Sequence, residues 1–167
     1  MTPFRISVCG LFEVQDFESD GVTHIISIDN PGPPTGTPEW FRGTHWHVVF
    51  QDVETPIEAR EYNAVAPSIQ EVERIIDFGG TCQEAGRTQD VHLLIHCMAG
   101  TSRSPAAAFA ILCMINGEGT ESACIEELLA IRPRAFPNRL VVKFADDLLK
   151  RDGRMLKALR LLYERRN

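Results

Sequence analysis

The segment His96-Cys97-Met98-Ala99-Gly100-Thr101-Ser102-Arg103-Ser104 sets a thiol and a guanidinium apart by five residues, with a glycine between them. A chain that folds back at the start of a helix turns several backbone N–H groups into one concavity, and the helix dipole adds positive potential there. Gly100 permits the backbone conformation and close approach that such a cradle needs. The planar fork of Arg103 can grip two oxygens of a tetrahedral anion. The same field favours a thiolate: cysteine at a helix N-terminus beside cations titrates at about 3.5–7.5 instead of ~8.5. Cys97 is therefore expected to be ionised at the centre of a phosphate-sized cup. A nucleophile inside an anion cradle means attack on phosphorus. The plainer reading, a buried thiol beside a surface charge, is the weaker one, because His96, Gly100 and Ser104 accompany the Cys–Arg spacing.

The elements around this loop read as strand and helix in alternation, with no internal repeat. Phe4–Val8, Val22–Ile28 and Val91–Ile95 are short β-branched or apolar runs, and the last leads straight into the loop. His45–Phe50 alternates, with Trp46, Val48 and Phe50 facing one way and His45, His47 and Val49 the other, which suggests a buried strand. Residues 31–38, PGPPTGTP, predict a loop. Ser68 and Glu71 resemble a capping box ahead of the helical spacing Ile69, Val72, Ile75, Ile76, and Gly79-Gly80 reads as its stop. From Pro105, Ala106 to Ile115 is apolar on every side, as in a buried helix. Thr120 and Asn138 read as caps of two further helices, and Met155, Leu156, Leu159 and Leu162 mark a last one. The expected fold is α/β: a single domain with a central, mostly parallel sheet flanked by helices, and the loop lying between a central strand and a buried helix.

His96–Ser104 resembles the signature loop of the cysteine-dependent protein tyrosine phosphatases, and Gly100 with Arg103-Ser104 resembles the dual-specificity branch. The resemblance extends more weakly from about Val22 to Lys150, through Val22–Ile28 and Arg134-Ala135-Phe136-Pro137-Asn138. It implies a catalytic domain spanning residues 1–167, a cysteinyl-phosphate on Cys97 that water then hydrolyses, and no metal or cofactor. Arg103 would hold the phosphate together with Met98, Ala99, Gly100, Thr101 and Ser102. Ser104 would assist breakdown of the intermediate, and His96 would orient the loop and help hold the thiolate. The leaving oxygen needs a proton from an acid on a nearby loop. Asp52, just past His45–Phe50, and Asp29, just past Val22–Ile28, both stand at the carboxyl ends of strands. The resemblance favours Asp52, with Glu54 next. Asp52 precedes Cys97 by 45 residues, a longer gap than compact members show, and Thr55–Pro67 looks like the added length. The substrate class implied is a phosphorylated protein or peptide. A phosphoinositide or RNA 5′-phosphate is the weaker alternative, since Met98, Ala99, Thr101 and Ser102 are uncharged. A phosphopeptide-binding module without catalysis is weaker still, because Cys97, Arg103, Ser104 and an acid are all retained.

The chain has 167 residues, 44% hydrophobic and 24% charged, with net charge −6, values of one ordinary globular domain. The acidic balance argues against general nucleic-acid or anionic-membrane binding. No apolar run approaches the ~18 residues of a membrane span, and Met1 to Arg5 shows no leader pattern. Cys9, Cys82, Cys97, Cys113 and Cys124 are odd in number and lack any C-x-x-C, so a reducing, cytoplasmic setting and a monomer are the expectation. Cys9 or Cys82 bridging Cys97 under oxidation is the less favoured option, and Cys113 and Cys124 read as packing residues. His45-x-His47 lacks a second ligand pair, which favours packing over a metal. Trp46 reads as core, whereas Trp40 and Phe41 could pack or border the cleft. Lys150–Asn167 carries seven Lys or Arg against two acids, which reads as a solvated helix face rather than as a docking site for an acidic partner.

Overall fold

The computed structural model describes residues 4–167. Met1–Pro3, which open the stretch read for a leader pattern, lie outside the described residues. Strands β1 (Phe4–Gly10), β2 (His24–Asp29), β3 (Thr44–Val49) and β4 (Val91–Cys97) form one sheet in the order β1-β4-β2-β3, with every neighbouring pair parallel. A 3-10 helix, Leu11–Phe17, follows β1. The α-helices are α1 (Pro56–Glu61), α2 (Ile69–Ala85), α3 (Arg103–Asn116), α4 (Glu121–Ile131), α5 (Arg139–Leu148) and α6 (Arg154–Arg166). The expected α/β architecture is present. No helix among the described residues is long and apolar enough to cross a membrane.

Period-2 alternation in β4 splits the molecule into two unequal layers. Val91, Leu93, Ile95 and Cys97 face the main core, built with α2 to α6, whereas Leu94 faces a small cluster of Cys9, Val14, Ile25 and Phe41. All of α3 from Arg103 to Cys113 is buried, which explains a sequence that is apolar on every side. Asn138 caps α5 by accepting from Val141 N–H, and Ser68 and Glu71 form the expected capping box. Thr120 stands at the start of α4 without capping it, because its hydroxyl donates to the Gly117 carbonyl.

Three local expectations need correction. β3 is an edge strand rather than a buried one, and Val49 on its outer face is 40% exposed. The added length at Thr55–Pro67, for which the sequence suggests no element, contains helix α1, started by Pro56 and capped by Thr55, whose hydroxyl accepts from Glu58 N–H. Gly79-Gly80 does not stop α2, which continues to Ala85. A Cβ on Gly79 would stand 2.7 Å from two carbons of Ile111, so this glycine exists for the close approach of α2 to α3. At Gly80 the nearest atom to such a Cβ is Met114 Cε at 3.8 Å.

The thinner face of the sheet carries a polar seam. Ser27 Oγ lies 2.5 Å from His96 Nε2 and 2.7 Å from His45 Nε2, while His45 Nδ1 meets Thr37 Oγ1 at 2.8 Å. The His45 and His47 rings lie 4.1 Å apart, and His47 Nδ1 pairs with Asp29 at 2.8 Å. These contacts occupy the H-x-H pair within the sheet, and among the described residues no cluster of three metal-ligating groups occurs. Burial, with His47 and His96 nearby, pushes His45 down to about 4. Burial also lowers His24, His92 and His96.

Two expected outcomes follow. In an exposed helix Gly→Ala gains about 1 kcal/mol. Chemical denaturation should therefore show Gly80→Ala stabilised and Gly79→Ala destabilised by about 1–3 kcal/mol through overpacking against Ile111; equal effects at both sites would contradict the packing described. With unfolded histidine near ~6.5 and His45 at about 4, the unfolded chain binds more protons across that interval, so stability is complete above ~6.5 and falls toward pH 4. The slope of Tm against pH between these limits should flatten in His45→Gln, and an unchanged slope would remove His45 from the effect.

Candidate active site

The carboxyl ends of all four strands converge on the loop that leaves β4. Cys97 ends β4, Gly10 ends β1 beside it, Asn30 follows β2, and Phe50 to Asp52 follow β3. This is where open parallel sheets hold ligands. Met98 to Ser102 then lead into α3, whose first residue is Arg103 rather than Pro105.

The loop's shape is set from outside, one carbonyl at a time. Met98 O accepts from Leu11 N–H at 3.0 Å, Thr101 O from Phe136 N–H at 2.6 Å, and Ser102 O from Asn138 N–H at 3.1 Å. Arg132 holds the remaining two, donating from Nε to Gly100 O at 2.9 Å and from Nη2 to Ala99 O at 3.2 Å. With every carbonyl from Met98 to Ser102 engaged outside the ring, the N–H groups of Ala99, Thr101 and Ser102 keep no protein acceptor among the described residues. Gly100 adopts φ +67, and a Cβ there would stand 2.4 Å from the Cys9 carbonyl carbon and 2.7 Å from Arg132 Nη2. Only glycine fits.

Arg132 is itself held by Glu13, with Nη1 and Nη2 at 2.9 and 2.7 Å from its two carboxylate oxygens. Gly10 N–H also donates to Glu13, at 2.7 Å. The Arg132 guanidinium, aided by that N–H and by Arg134, holds Glu13 down at about 2 against the cost of burial.

Inside the ring, Cys97 Sγ accepts from Gly100 N–H at 3.3 Å and lies 3.2 Å from Ser104 Oγ. Arg103 donates through Nη1 to Asn30 Oδ1 at 2.7 Å and to Phe50 O at 2.9 Å, leaving Nε and Nη2 without a protein partner among the described residues. Cys97 and Arg103 form the floor of a cavity of about 220 Å³, walled by Leu11, Pro31, Pro33, Thr35 and Met98. The His96 ring lies on the opposite face of β4. It meets the Cys97 carbonyl at 3.4 Å and Ser27, and makes no hydrogen bond to the sulfur.

The three candidate acids occupy different settings. Asp52 is exposed at the rim, its Oδ1 accepting from Ser102 Oγ at 2.6 Å and Asn138 Nδ2 at 2.9 Å. Glu54 accepts from Arg139 N–H at 2.8 Å, at the first turn of α5. Asp29 is buried, which raises it, but Thr35 and His47 hydrogen-bond to it and leave it below the usual carboxylate range. Asp29 is thus committed to ordering the loop after β2.

The remaining cysteines separate from Cys97. Cys9 faces the thin layer, and burial pushes its thiol up to about 12. Burial has the same effect on Cys82, which sits on α2 in the main core. Cys113 and Cys124 are hydrogen-bonded to each other between α3 and α4, a pairing that pushes Cys113 up. Trp46 stacks on Phe78 at the main core, and Trp40 and Phe41 pack in the small cluster away from the cleft.

Sequence reasoning assembled Cys97, Arg103, Ser104, Gly100 and Asp52, and the structure places them together. It missed Arg132, Glu13 and Asn30. Arg132 lies two residues before the Arg134–Asn138 segment, a signal that was within reach, whereas Glu13 and Asn30 left no mark in spacing.

No family model matches the sequence, and no curated protein does. Solved structures do. DUSP15 is 23% identical, with TM-score 0.64 over 99% of this chain and 93% of that one. Human DUSP28 is 16% identical, with TM-score 0.60 over 99% and 96%. PTPMT1 in complex with PI(5)P is 15% identical, with TM-score 0.60 over 87% and 90%. Likeness at these identities is likeness of fold, and the fold is that of the dual-specificity branch of the cysteine-dependent protein tyrosine phosphatases.

Proposed function

We propose that the chain is a phosphomonoester hydrolase of the dual-specificity type, acting on phosphorylated protein or peptide through a cysteinyl-phosphate. The observation that carries this reading is Cys97 Sγ standing inside a loop whose carbonyls all face outward, with two guanidinium nitrogens of Arg103 free beside it. Loop N–H groups and Arg103 take the non-bridging phosphate oxygens and stabilise charge that grows in the transition state. The Cys97 thiolate attacks phosphorus, an S–P bond forms, and the P–O bond to the leaving group breaks. Asp52, in its acid form, gives the leaving oxygen a proton. Water then attacks phosphorus, the S–P bond breaks, and Asp52 takes the proton back. Ser104, 3.2 Å from the sulfur, donates to the departing thiolate in this second step. His96 orients the loop through its backbone. Arg132 and Glu13 are positioning residues that act through loop carbonyls.

The apolar wall of Leu11, Pro31, Pro33 and Met98, with Phe12 87% exposed nearby, suits an aromatic phosphoester better than a polyol phosphate. No cation stands between Met98 and Ser102 to meet extra phosphates of an inositol ring.

Cys97→Ser should abolish hydrolysis of aryl phosphates. Asp52→Asn should lower kcat about 10²–10⁴-fold on poor leaving groups and far less on good ones; equal loss on both, or none, assigns the proton elsewhere. Arg132→Met should weaken vanadate inhibition and kcat/KM together, by about 10² if the loop shifts on the order of 1 Å, with partial recovery in Arg132→Lys. A variant that melts earlier with unchanged kinetics would make Arg132 a stability residue only.

A further inference from the structure

Outside the Cys97 cup, a groove of about 440 Å³ lies between α5 and α6, and the proposed mechanism does not use it. Arg139, Lys157 and Arg160 stand around it, and Leu156, Leu159 and Tyr163 give it an apolar floor. Three cations converge here on a chain of net charge −6. Arg160 has only an exposed helix-surface partner, Glu164 at 3.7 Å, while Lys157 and Arg139 make no ion pair among the described residues. Exposed pairs of this kind are worth little, so all three charges remain available. Two cations of the basic C-terminal segment thus join Arg139 of α5 around one depression.

One pair of stacked rings links the groove to the catalytic rim. Phe136 N–H donates to Thr101 O, and the Phe136 ring stacks on Tyr163 with centroids 4.1 Å apart and planes within 4°. Tyr163 also donates its hydroxyl to the Pro137 carbonyl, which fixes the ring. Burial raises the Tyr163 hydroxyl, and the Glu54 and Asp52 carboxylates add to this. Arg139 follows Asn138, whose side chain holds Asp52. Near the cup itself the rim is acidic: Asp52, Glu54 and Glu58 line a shallow depression with Tyr62 and Phe136. Acidic residues next to the phosphoresidue would meet those carboxylates, whereas acidic residues carried past Phe136 and Tyr163 would reach the cations.

We propose that this groove binds an acidic stretch of the phosphorylated polypeptide substrate, held about three to six residues from the phosphoresidue. The spacing follows from the 4.1 Å between the Phe136 and Tyr163 rings and the three to six residues of α6 from Tyr163 back to Arg160 and Lys157, about 5–9 Å at ~1.5 Å per residue, against ~3.3 Å per extended substrate residue. The proposal rests on the phosphatase reading, and it names the substrate feature that the catalytic cup leaves open.

The test compares the full chain with Lys157→Glu/Arg160→Glu on three substrates: para-nitrophenyl phosphate, a phosphotyrosine peptide with four Glu starting three residues away, and the same peptide with Gln in their place. For the parent, the Glu peptide should exceed the Gln peptide about 5–10-fold in kcat/KM at low salt, with the gap closing as salt rises. The double variant should erase or invert that ratio and leave the small aryl phosphate unchanged. Moving the Glu block next to the phosphotyrosine should also remove the advantage. Equal kcat/KM for both peptides, or a ratio unaltered by charge reversal, overturns the proposal while para-nitrophenyl phosphate hydrolysis still stands. Fluorescence anisotropy of both labelled peptides on Cys97→Ser reads the groove without turnover. Should no substrate be hydrolysed, the phosphatase reading fails, and equal binding of the two peptides there would sink the groove as well.

Discussion

Everything at the site depends on which way five carbonyl groups point. A loop of backbone can bind an anion only if its N–H groups face inward, and then each carbonyl must find a donor on the far side. In this chain those donors come from four places: Leu11 after β1, Arg132 after α4, and Phe136 and Asn138 in the segment that leads to α5. Arg132 supplies two of them and is itself fixed by the two hydrogen bonds it donates to Glu13. The catalytic cup is therefore a tertiary product, assembled by parts of the chain that never touch the phosphate.

The constraint explains features otherwise unrelated. Gly100 is a glycine because β1 and Arg132 press against the loop so closely that a Cβ would overlap backbone at 2.4 Å. Asn138 caps α5, holds Asp52 at the rim and donates its N–H to Ser102 O, so one residue couples helix, acid and loop. Asn30 and the Phe50 carbonyl steady Arg103 from one side and leave its other nitrogens for the substrate. The histidine seam under β2 and β3 orders the loop after β2, through Asp29 and Thr35, and that loop forms one wall of the cup.

Legibility in the sequence followed the range of the interaction. The strand–loop–helix unit around Cys97 was readable because its residue types and spacing are local, and the parallel sheet followed from strands and helices in alternation. The Ser68–Glu71 capping box and the Asn138 cap were readable for the same reason. Arg132 and Glu13 lie 119 residues apart and act on backbone atoms, so no spacing rule links them to Cys97. Gly79-Gly80 was misread as a stop because propensity describes an isolated helix, whereas Gly79 is placed by its contact with Ile111 on a neighbouring one. Helix α1 was passed over because it is six residues long and buries none of them, so hydrophobic periodicity had nothing to report.

Position rather than the mere presence of donors sets Cys97 apart, since Cys124 also meets donors, Asn116 and Thr120, but packs with Cys113 between α3 and α4. Burial raises the Cys9 and Cys82 thiols, and the Cys97 sulfur stands in the cup beside the Gly100 N–H and the Ser104 hydroxyl. The account therefore makes one covalent claim, and trapping tests it most directly. The protein is mixed with a phosphotyrosine peptide, quenched in acid within milliseconds, digested and mapped by mass spectrometry. A phosphoryl group on the peptide that contains Cys97 is the predicted result. Turnover with no adduct on Cys97, or with the phosphoryl group on another residue, would contradict it.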